Sequence, residues 1–244
     1  MQGYVHSFES LAAVDGEGLR CAVFLSGCPM RCIYCHNPDT WEQKSGTPTD
    51  SDFLAKKIAR YKPYFKDDGG VTFSGGEPLC QAEFINETAK LLKEDNISYV
   101  VDTSGCVPLT QDVKTVLQNA QHVILDIKFW DDESYRKYAG HSIENVLNML
   151  EYISSRNIKL WVRTVIVPGI NDKTEILDKY LSLLKGKNID RYELLPFHTM
   201  GFFKYEKLGV ENRLLGTKAM QNDEKNSLQT YVNCVLDKNI SNNC

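Results

Sequence analysis

The sequence predicts an α/β fold, an open and partial (β/α)6 barrel similar to part of the eightfold β/α (TIM) barrel. Short runs rich in β-branched and aromatic residues alternate along the chain with longer stretches whose apolar residues recur at helical spacing. Such alternation is typical of parallel strands joined by right-handed helical crossovers. About six such units fall short of the eight that close a barrel.

The predicted strands are apolar runs bounded by glycine or polar residues: 19–27, 70–76, 98–105, 122–129, 159–169 and 192–198. The predicted helices lie between and after them: 51–62, 80–95, 109–120, 142–157, 173–185 and 219–238. The clearest helical stripe consists of Ile143, Val146, Leu147, Leu150 and Ile153. We expect Ser142 to be the N-cap of that helix. Nothing divides the pattern, so we expect residues 1–244 to form one domain.

The composition is that of an ordinary globular protein, with 42% hydrophobic residues, 25% charged residues and a formal net charge of −4. This acidic balance disfavours nucleic acid and anionic membranes as partners. The chain begins without a basic and then apolar leader and contains no apolar run of membrane-spanning length. We therefore expect a soluble, cytoplasmic protein with reduced thiols.

Three of the eight cysteines, Cys28, Cys32 and Cys35, stand together in CPMRCIYC, directly after the first predicted strand. Thiolates hold iron–sulfur clusters, and a cluster of four irons with three protein thiolates leaves one iron open to a substrate. A zinc site with a histidine as fourth ligand is the alternative. The candidate histidines are His6, His36 and His198. We assign no chemistry to the scattered cysteines, which are Cys21, Cys80, Cys106, Cys234 and Cys244.

Polar residues follow the apolar part of nearly every predicted strand, which is where parallel α/β sheets bind ligands. Gly75, Gly76 and Glu77 follow the second strand. Their glycines would let a ligand approach the backbone, although a plain turn uses the same residues. His198 follows the last strand, where a single histidine is either structural or functional.

Charged residues also interrupt apolar strands. Asp126 and Lys128 are two residues apart in HVILDIKF, which places them on one face of the predicted strand and facing a polar interior. With Asp102 and Thr103 of the neighbouring strand, Asp126 forms a hard-oxygen set suited to an alkali or alkaline-earth ion. Arg163 interrupts LWVRTVIV, where burying a guanidinium requires an anion, and a ligand carboxylate is one candidate.

Cx3Cx2C after the first strand and GGEP after the second resemble the radical S-adenosylmethionine (SAM) superfamily, and the resemblance covers nearly the whole chain. Further strings resemble its glycyl-radical activating enzymes: HSFES (6–10), DGEGLR (15–20), CHNPDTW (35–41), DTSG (102–105), LDIK (125–128), VRTVIVPG (162–169) and LLPFH (194–198). Activases of several other glycyl-radical enzymes carry a cysteine-rich insert after the first motif, whereas residues 36–69 here contain no cysteine. The type that activates pyruvate formate-lyase is therefore the most similar.

The resemblance implies that Cys28, Cys32 and Cys35 hold a [4Fe-4S] cluster whose fourth iron binds the amino and carboxylate groups of SAM. Reductive cleavage of SAM would give a 5′-deoxyadenosyl radical, which removes a hydrogen atom from one glycine of pyruvate formate-lyase. A flavodoxin or ferredoxin would supply the electron.

The same resemblance implies roles for thirteen further residues, and the chain departs from the family pattern at one position. Cofactor contacts would come from Tyr34, Gly75, Gly76, Glu77, Lys128, Arg163 and His198. A monovalent cation, Na or K, would bind at Asp102, Thr103 and Asp126. The partner's glycine loop would enter a mouth at the open end of the barrel, lined by Asp15, Gly16 and Gly18. Glu17 stands where the family often has proline, which leaves the stiffness of this loop in question.

Three alternatives remain open at the level of sequence. The chain could activate another glycyl-radical enzyme, or it could be a radical SAM enzyme that acts on a small molecule. It could also be a binding protein that carries a cluster or zinc and has no turnover.

Overall fold

One eight-stranded sheet organises the protein in this computed structural model, which describes residues 1–13 and 15–241. The strand order is β3-β1-β2-β4-β5-β6-β7-β8, and the sheet does not close. The strands are β1 (Gln2–Ala12), β2 (Arg20–Leu25), β3 (Thr47–Asp50), β4 (Gly70–Gly75), β5 (Ser98–Thr103), β6 (His122–Asp126), β7 (Leu160–Ile166) and β8 (Arg191–Pro196). Neighbours from β2 to β8 in this order are parallel, whereas β1 is antiparallel to both β2 and β3.

Helices provide the crossovers between the parallel strands. They are α1 (Ser51–Ala59), α2 (Lys62–Phe65), α3 (Ala82–Glu94), α4 (Gln111–Asn119), α5 (Asp132–Ala139), α6 (Glu144–Ser155), α7 (Thr174–Leu184), α8 (Phe202–Leu208) and α9 (Asn222–Ser241). In the described part of the chain, no helix is long and apolar enough to cross a membrane.

The two faces of the parallel sheet differ in composition. Alternate side chains such as Val23, Phe73 and Leu125 are fully buried and pack into the main apolar core together with the helices. We call the opposite face the inner face. It carries a small separate apolar cluster of Val100, Ile124 and Trp161, and beyond it the polar residues Ser74, Asp102, Asp126, Arg163 and Glu193. The fold therefore concentrates the polar residues of the strands on one side.

The six predicted parallel strands and six predicted helices are all present, but three details of the prediction are wrong. β6 ends at Asp126, so Lys128 lies in the following loop and not on the strand. The N-cap of α6 is Ile143, and the hydroxyl of Ser142 accepts a hydrogen bond from the Glu144 N–H while donating to Asp132. The final helix starts at Asn222, later than predicted.

Sequence patterns missed five elements. β1 and β3 are half-exposed or exposed along most of their length, so their sequences lack a continuous apolar run. α2, α5 and α8 are at most eight residues long, too short for a clear apolar stripe. Of the single cysteines, Cys21 and Cys106 are buried, and Cys80 and Cys234 are exposed. Cys244 lies outside the described residues.

Candidate active site

The three clustered cysteines lie on the loop that leaves β2 at its carboxyl end. Cys32 is only 8% exposed, and Cys28 and Cys35 are half-buried. Burial, followed by the nearby Glu77 carboxylate, raises the pKa of the Cys28 thiol to about 12. Burial also raises the pKa of the Cys32 and Cys35 thiols. Buried thiols on one loop are poor nucleophiles by themselves, whereas metal binding would deprotonate them.

The GGEP string holds the cysteine loop in place. The Gly76 N–H donates to the Leu25 carbonyl at 2.9 Å, and the Glu77 N–H donates to the Gly27 carbonyl at 2.8 Å. A Cβ at Gly75, whose φ is +127°, would stand 2.2 Å from the Leu25 carbonyl oxygen. Glycine is required here because the backbone at the end of β2, where the cysteine loop begins, lies against it.

The Glu77 carboxylate is fully buried, and both of its oxygens are occupied within the fold. Oε1 accepts from the Thr103 hydroxyl at 2.6 Å and the Leu79 N–H at 3.0 Å. Oε2 accepts from the N–H and the hydroxyl of Ser104, at 2.9 and 2.5 Å. The side chains of Glu77 and Thr103 therefore join GGEP to DTSG, and a ligand of this segment would meet backbone atoms instead.

Two carboxylates meet on the inner face near the ends of β5 and β6. Asp102 accepts a hydrogen bond from the Ser74 hydroxyl at 2.8 Å, and Asp126 pairs with the Lys128 ammonium at 2.5 Å. The pKa of Asp102 is raised to about 7, first by burial and then by the charge of Asp126, although Arg163 opposes the shift. A cation between two such carboxylates favours the ionised form of both.

Arg163 lies in the middle of β7, where it is 9% exposed. Its Nε donates to Glu193 at 3.2 Å, and its charge lowers the pKa of both Asp102 and Asp15 against the opposing effect of burial. An anionic partner was expected for this guanidinium, and one such partner is the carboxylate of Glu193 on β8.

His198 follows β8 and faces the cysteine loop. Its ring stacks on that of His36 with centroids 3.8 Å apart, and the His36 Nε2–H donates to the His198 carbonyl at 2.9 Å. The buried Nδ1 of His198 has no hydrogen-bond partner among the described residues. A buried polar atom without a partner is costly, so this nitrogen is a natural contact for a polar ligand.

Tyr34, within the cysteine motif, is buried in the wall of the site. Its ring packs on Phe129 with centroids 5.7 Å apart, and its hydroxyl approaches the Lys128 carbonyl at 3.4 Å. The structure thus couples this tyrosine to the loop that carries Lys128.

The segment Asp15–Gly18 lies at the opposite end of the strands from the cysteines. The Thr72 hydroxyl donates to the Asp15 carbonyl at 2.5 Å. The φ angles of Gly16 and Gly18 are positive, at 131° and 71°, and they bend the loop across the amino end of the inner face. The loop precedes β2 and the cysteines follow it, so these residues lie towards the amino ends of the strands, and their role in lining the mouth for the partner's loop stays a prediction.

Arg20, which pattern reading did not single out, fixes this loop. It is fully buried and donates to the carbonyls of Glu17, Asp68 and Val71 and to the Thr72 hydroxyl, at 2.8 to 3.1 Å. The Glu17 carboxylate pairs with Lys159 at 2.8 Å. The loop is thus restrained without the proline that often stands at position 17 in the family.

Other residues that sequence reasoning missed are Ser74, Ser104 and Glu193. Ser74 and Ser104 lie in strings whose glycine and charged residues were selected instead, and a serine alone gives no signal of function. Glu193, in RYELLP, is a charge within a strand and could have been noticed by the same argument that selected Arg163. Their roles depend on partners distant in sequence.

A single-ion zinc site receives no support from the described residues, which contain no group of three or more His, Cys, Asp or Glu side chains able to hold one ion. His6 pairs with Asp39 at 3.1 Å instead. An iron–sulfur cluster differs because each thiolate binds a different iron, so its ligands stand further apart. The thiol loop and the unpartnered His198 Nδ1 fit a cluster with a polar organic ligand beside it.

Comparisons with known proteins agree with this site. A family model described as "Radical SAM superfamily" matches residues 23–181. The pyruvate formate-lyase-activating enzyme of Clostridium pasteurianum is 40% identical over 97% of this chain and 100% of its own length. That of Staphylococcus epidermidis is 36% identical over 96% of each chain. The chain therefore belongs to the radical SAM superfamily and, within it, to the family of these activating enzymes.

Solved structures show a similar fold. A domain of pyruvate-formate lyase-activating enzyme from Bacteroides vulgatus superposes with a TM-score of 0.55 at 19% identity, covering 68% of this chain and 93% of that one. Streptococcus suis SuiB, bound to its precursor peptide SuiA, gives a TM-score of 0.60 at 14% identity, covering 73% of this chain and 39% of that one. Family membership implies a [4Fe-4S] cluster and SAM as cofactors.

Proposed function

We propose that this protein activates pyruvate formate-lyase by generating a glycyl radical in it. The observation that carries the proposal is the similarity to activating enzymes along nearly the whole chain, at 40% and 36% identity. The buried thiols beside the unpartnered His198 Nδ1 support it, because they offer the cluster and its ligand a shared site.

When bound, the cluster and SAM would supply the one-electron chemistry needed to remove a hydrogen atom from a glycine of the protein substrate. The chain's own residues hold and orient these groups. Cys28, Cys32 and Cys35 would hold the cluster, and the GGEP backbone keeps their loop in position. His198 and Arg163 would contact SAM.

Tyr34 and Lys128 complete the cofactor site in this proposal. Tyr34 supports the segment after β6 through the Lys128 carbonyl. Lys128 neutralises Asp126 and presents its charge towards the carboxylate region of SAM. Gly75, Gly76 and Glu77 offer backbone atoms to the amino group of SAM, since the Glu77 side chain is occupied.

The test is anaerobic. Reconstituted and reduced protein is mixed with SAM and pyruvate formate-lyase, and electron paramagnetic resonance is recorded while 5′-deoxyadenosine is assayed. A glycyl doublet together with deoxyadenosine is expected. Deoxyadenosine without a doublet would contradict the proposed substrate and favour another glycyl-radical enzyme or a small molecule. Neither product from protein with an intact cluster would favour a binding protein.

A monovalent cation, Na or K, is part of the proposal. Asp102 and Asp126 supply its carboxylate oxygens, and Thr103 supplies its carbonyl because the hydroxyl donates to Glu77. Cation-stripped protein is expected to lose SAM cleavage when potassium is exchanged for choline. Unchanged activity in choline would contradict the cation site.

Asp15, Gly16 and Gly18 are proposed to bind the backbone of the partner's glycine loop. Because these residues lie at the amino end of the inner face, the bound peptide must extend along that face from the cofactor site to this loop. Asp15→Ala is expected to slow glycyl radical formation while uncoupled SAM cleavage persists. Equal loss of both reactions would contradict this role.

The proposal also includes an external electron donor, a flavodoxin or a ferredoxin, because the reaction consumes one electron for each SAM cleaved. It places the protein in the cytoplasm, where thiols are kept reduced.

A further inference from the structure

An exposed basic patch covers the outer side of the cysteine loop. We define this patch as Pro29, Arg31, Lys137, Arg213 and Leu215. All five are exposed, Leu215 to 81%. The patch brings together the cysteine loop, the end of α5 and the segment after α8.

Direct contacts connect the patch to the cluster ligands. Arg31 donates to the carbonyl of Cys28 at 2.7 Å, and its guanidinium lies 4.9 Å from the centre of the Trp41 ring. The Arg31 N–H donates to the Ala139 carbonyl at 2.7 Å, which fastens the cysteine loop to the end of α5. A partner that contacts Arg31 is therefore separated from a cluster ligand by one hydrogen bond.

The other two basic residues belong to the same rigid surface. Arg213 donates to the Lys137 carbonyl at 3.0 Å, and the Lys137 ammonium lies 4.8 Å from the centre of the Tyr138 ring. The Ile33 N–H donates to the Tyr138 carbonyl at 2.9 Å, so this strip is also bonded to the cysteine loop. Little side-chain order has to be created when a partner binds.

The charge of the patch opposes that of the whole chain. The chain carries a formal net charge of −4, whereas the patch contains three cations and no carboxylate. The adjacent Glu42 pairs with Arg31 at 3.4 Å and offsets part of that charge. A basic patch with an exposed leucine fits an acidic protein surface with an apolar contact.

We propose that this patch docks a small acidic protein that carries one electron. The inference rests on the proposed function, which requires an electron to reach a cluster held by buried thiols. The carrier is oxidised by one electron and the cluster is reduced by one, with no bond made or broken. The substrate peptide needs the inner face, so the outer side of the cysteine loop stays available to the carrier.

The test uses flavodoxin as the probe and charge reversal as the perturbation. Lys137→Glu and Arg213→Glu are combined, and Lys93→Glu near the end of α3 is the control, because that lysine is exposed and lies towards the amino ends of the strands, whereas the cysteine loop lies at their carboxyl ends. Flavodoxin binding is titrated at low and high ionic strength, and oxidation of its hydroquinone by reconstituted protein is followed by stopped flow.

The double reversal is expected to weaken flavodoxin binding and to slow hydroquinone oxidation by roughly tenfold at low salt, with the difference shrinking at high salt. The control should bind as the unaltered protein does. Equal binding by all three proteins would overturn the proposal. So would unchanged flavodoxin oxidation with slower activation of pyruvate formate-lyase under dithionite, which would assign the patch to the protein substrate.

The two proposals fail in different ways. If the unaltered protein binds flavodoxin and oxidises it but cleaves no SAM with dithionite, the proposed function is wrong and the docking surface stands. If SAM is cleaved with dithionite but flavodoxin binding ignores the charge reversals, the docking surface is wrong and the proposed function stands.

Discussion

The two ends of the inner face differ in how their buried polar groups are hydrogen-bonded. At the amino end, where the parallel strands begin, Arg20 is buried and uses its donors on backbone and hydroxyl oxygens of the chain itself. At the carboxyl end, Cys32 is buried, Cys28 and Cys35 are half-buried, and the Nδ1 of His198 lacks a hydrogen bond among the described residues. The amino end satisfies its buried guanidinium from within the chain, although both ring nitrogens of His122, which packs on Trp161, lack a hydrogen-bond partner among the described residues. The carboxyl end instead combines its unpaired histidine nitrogen with three thiols on one loop.

Within the carboxyl end, the satisfaction of buried polar groups does not follow motif membership. Glu77 belongs to a motif at the carboxyl end, yet its oxygens are occupied as fully as the donors of Arg20. His198 belongs to a less conspicuous string but retains an unpaired nitrogen. Buried polar groups that are satisfied stabilise the fold, and those that are not mark a binding site or a cost.

The largest effect is expected at the cluster ligands. Cys32→Ser should abolish retention of the cluster and with it measurable SAM cleavage, since a serine oxygen is a poor substitute for a thiolate. Iron content and visible absorbance after anaerobic reconstitution provide the measurement. Cys234→Ser, at an exposed position, is the matched control and should retain iron and activity. Full iron content in Cys32→Ser would contradict the assignment.

The next largest effect concerns stability at the carboxyl end. Glu77→Gln should lower the free energy of unfolding by about 3 kcal/mol, because the amide places its own donors against groups that donate to the carboxylate. Urea denaturation measures the change. Glu83→Gln, at an exposed position on α3, should stay within about 0.5 kcal/mol. If both variants were equally stable, Glu77 would not be the structural link described.

His122 tests the amino end through pH. Burial, and next the charge of Arg20, lowers its pKa from 6.5 to about 4. The folded state therefore binds this proton less readily than the unfolded chain, so its contribution to stability is complete above pH 6.5 and is lost as the pH falls towards 4. Between pH 7 and pH 5 the loss should be about 2 kcal/mol.

The measurement for His122 compares denaturation of the unaltered protein and His122→Phe at both pH values. The phenyl ring can keep the contact with Trp161 but cannot titrate. The difference between the two pH slopes isolates the histidine from all other acid-sensitive groups. Parallel slopes would show that His122 is protonated equally well in the folded and unfolded states.

The smallest effect is expected at the Glu17–Lys159 pair, which is partly exposed. Glu17→Ala should cost less than about 1 kcal/mol of stability, since exposed ion pairs contribute little, and the Arg20 hydrogen bonds would still hold the loop. Differential scanning calorimetry at low and high salt measures this cost. A loss of several kcal/mol would mean that the ion pair, and not Arg20, restrains the loop.

The sequence predicted the parallel part of the sheet because its strands contain apolar runs bounded by glycine or polar residues. β1 was not predicted because its buried residues alternate with exposed ones and its composition is mixed. The candidate site was predictable as a set of strand-end residues, since parallel strands bring those ends to one edge. Lys128 still reaches Asp126 although it lies beyond the strand.

Two aspects of the site could not be predicted from the sequence. The occupancy of Glu77 depends on Thr103 and Ser104, which are 26 and 27 residues away. The contact of the Asp15 carbonyl with the Thr72 hydroxyl joins residues 57 positions apart. Both are consequences of tertiary contacts that no local pattern encodes.

The contrast between the two ends can be tested most directly at His198. His198→Phe keeps an aromatic ring against His36 but removes the unpaired Nδ1. The account predicts that SAM binds about tenfold more weakly to the reconstituted variant, the equivalent of one hydrogen bond, while the free energy of unfolding stays equal or rises. Unchanged SAM affinity combined with a clear loss of stability would contradict it, because His198 would then serve the fold and not the ligand.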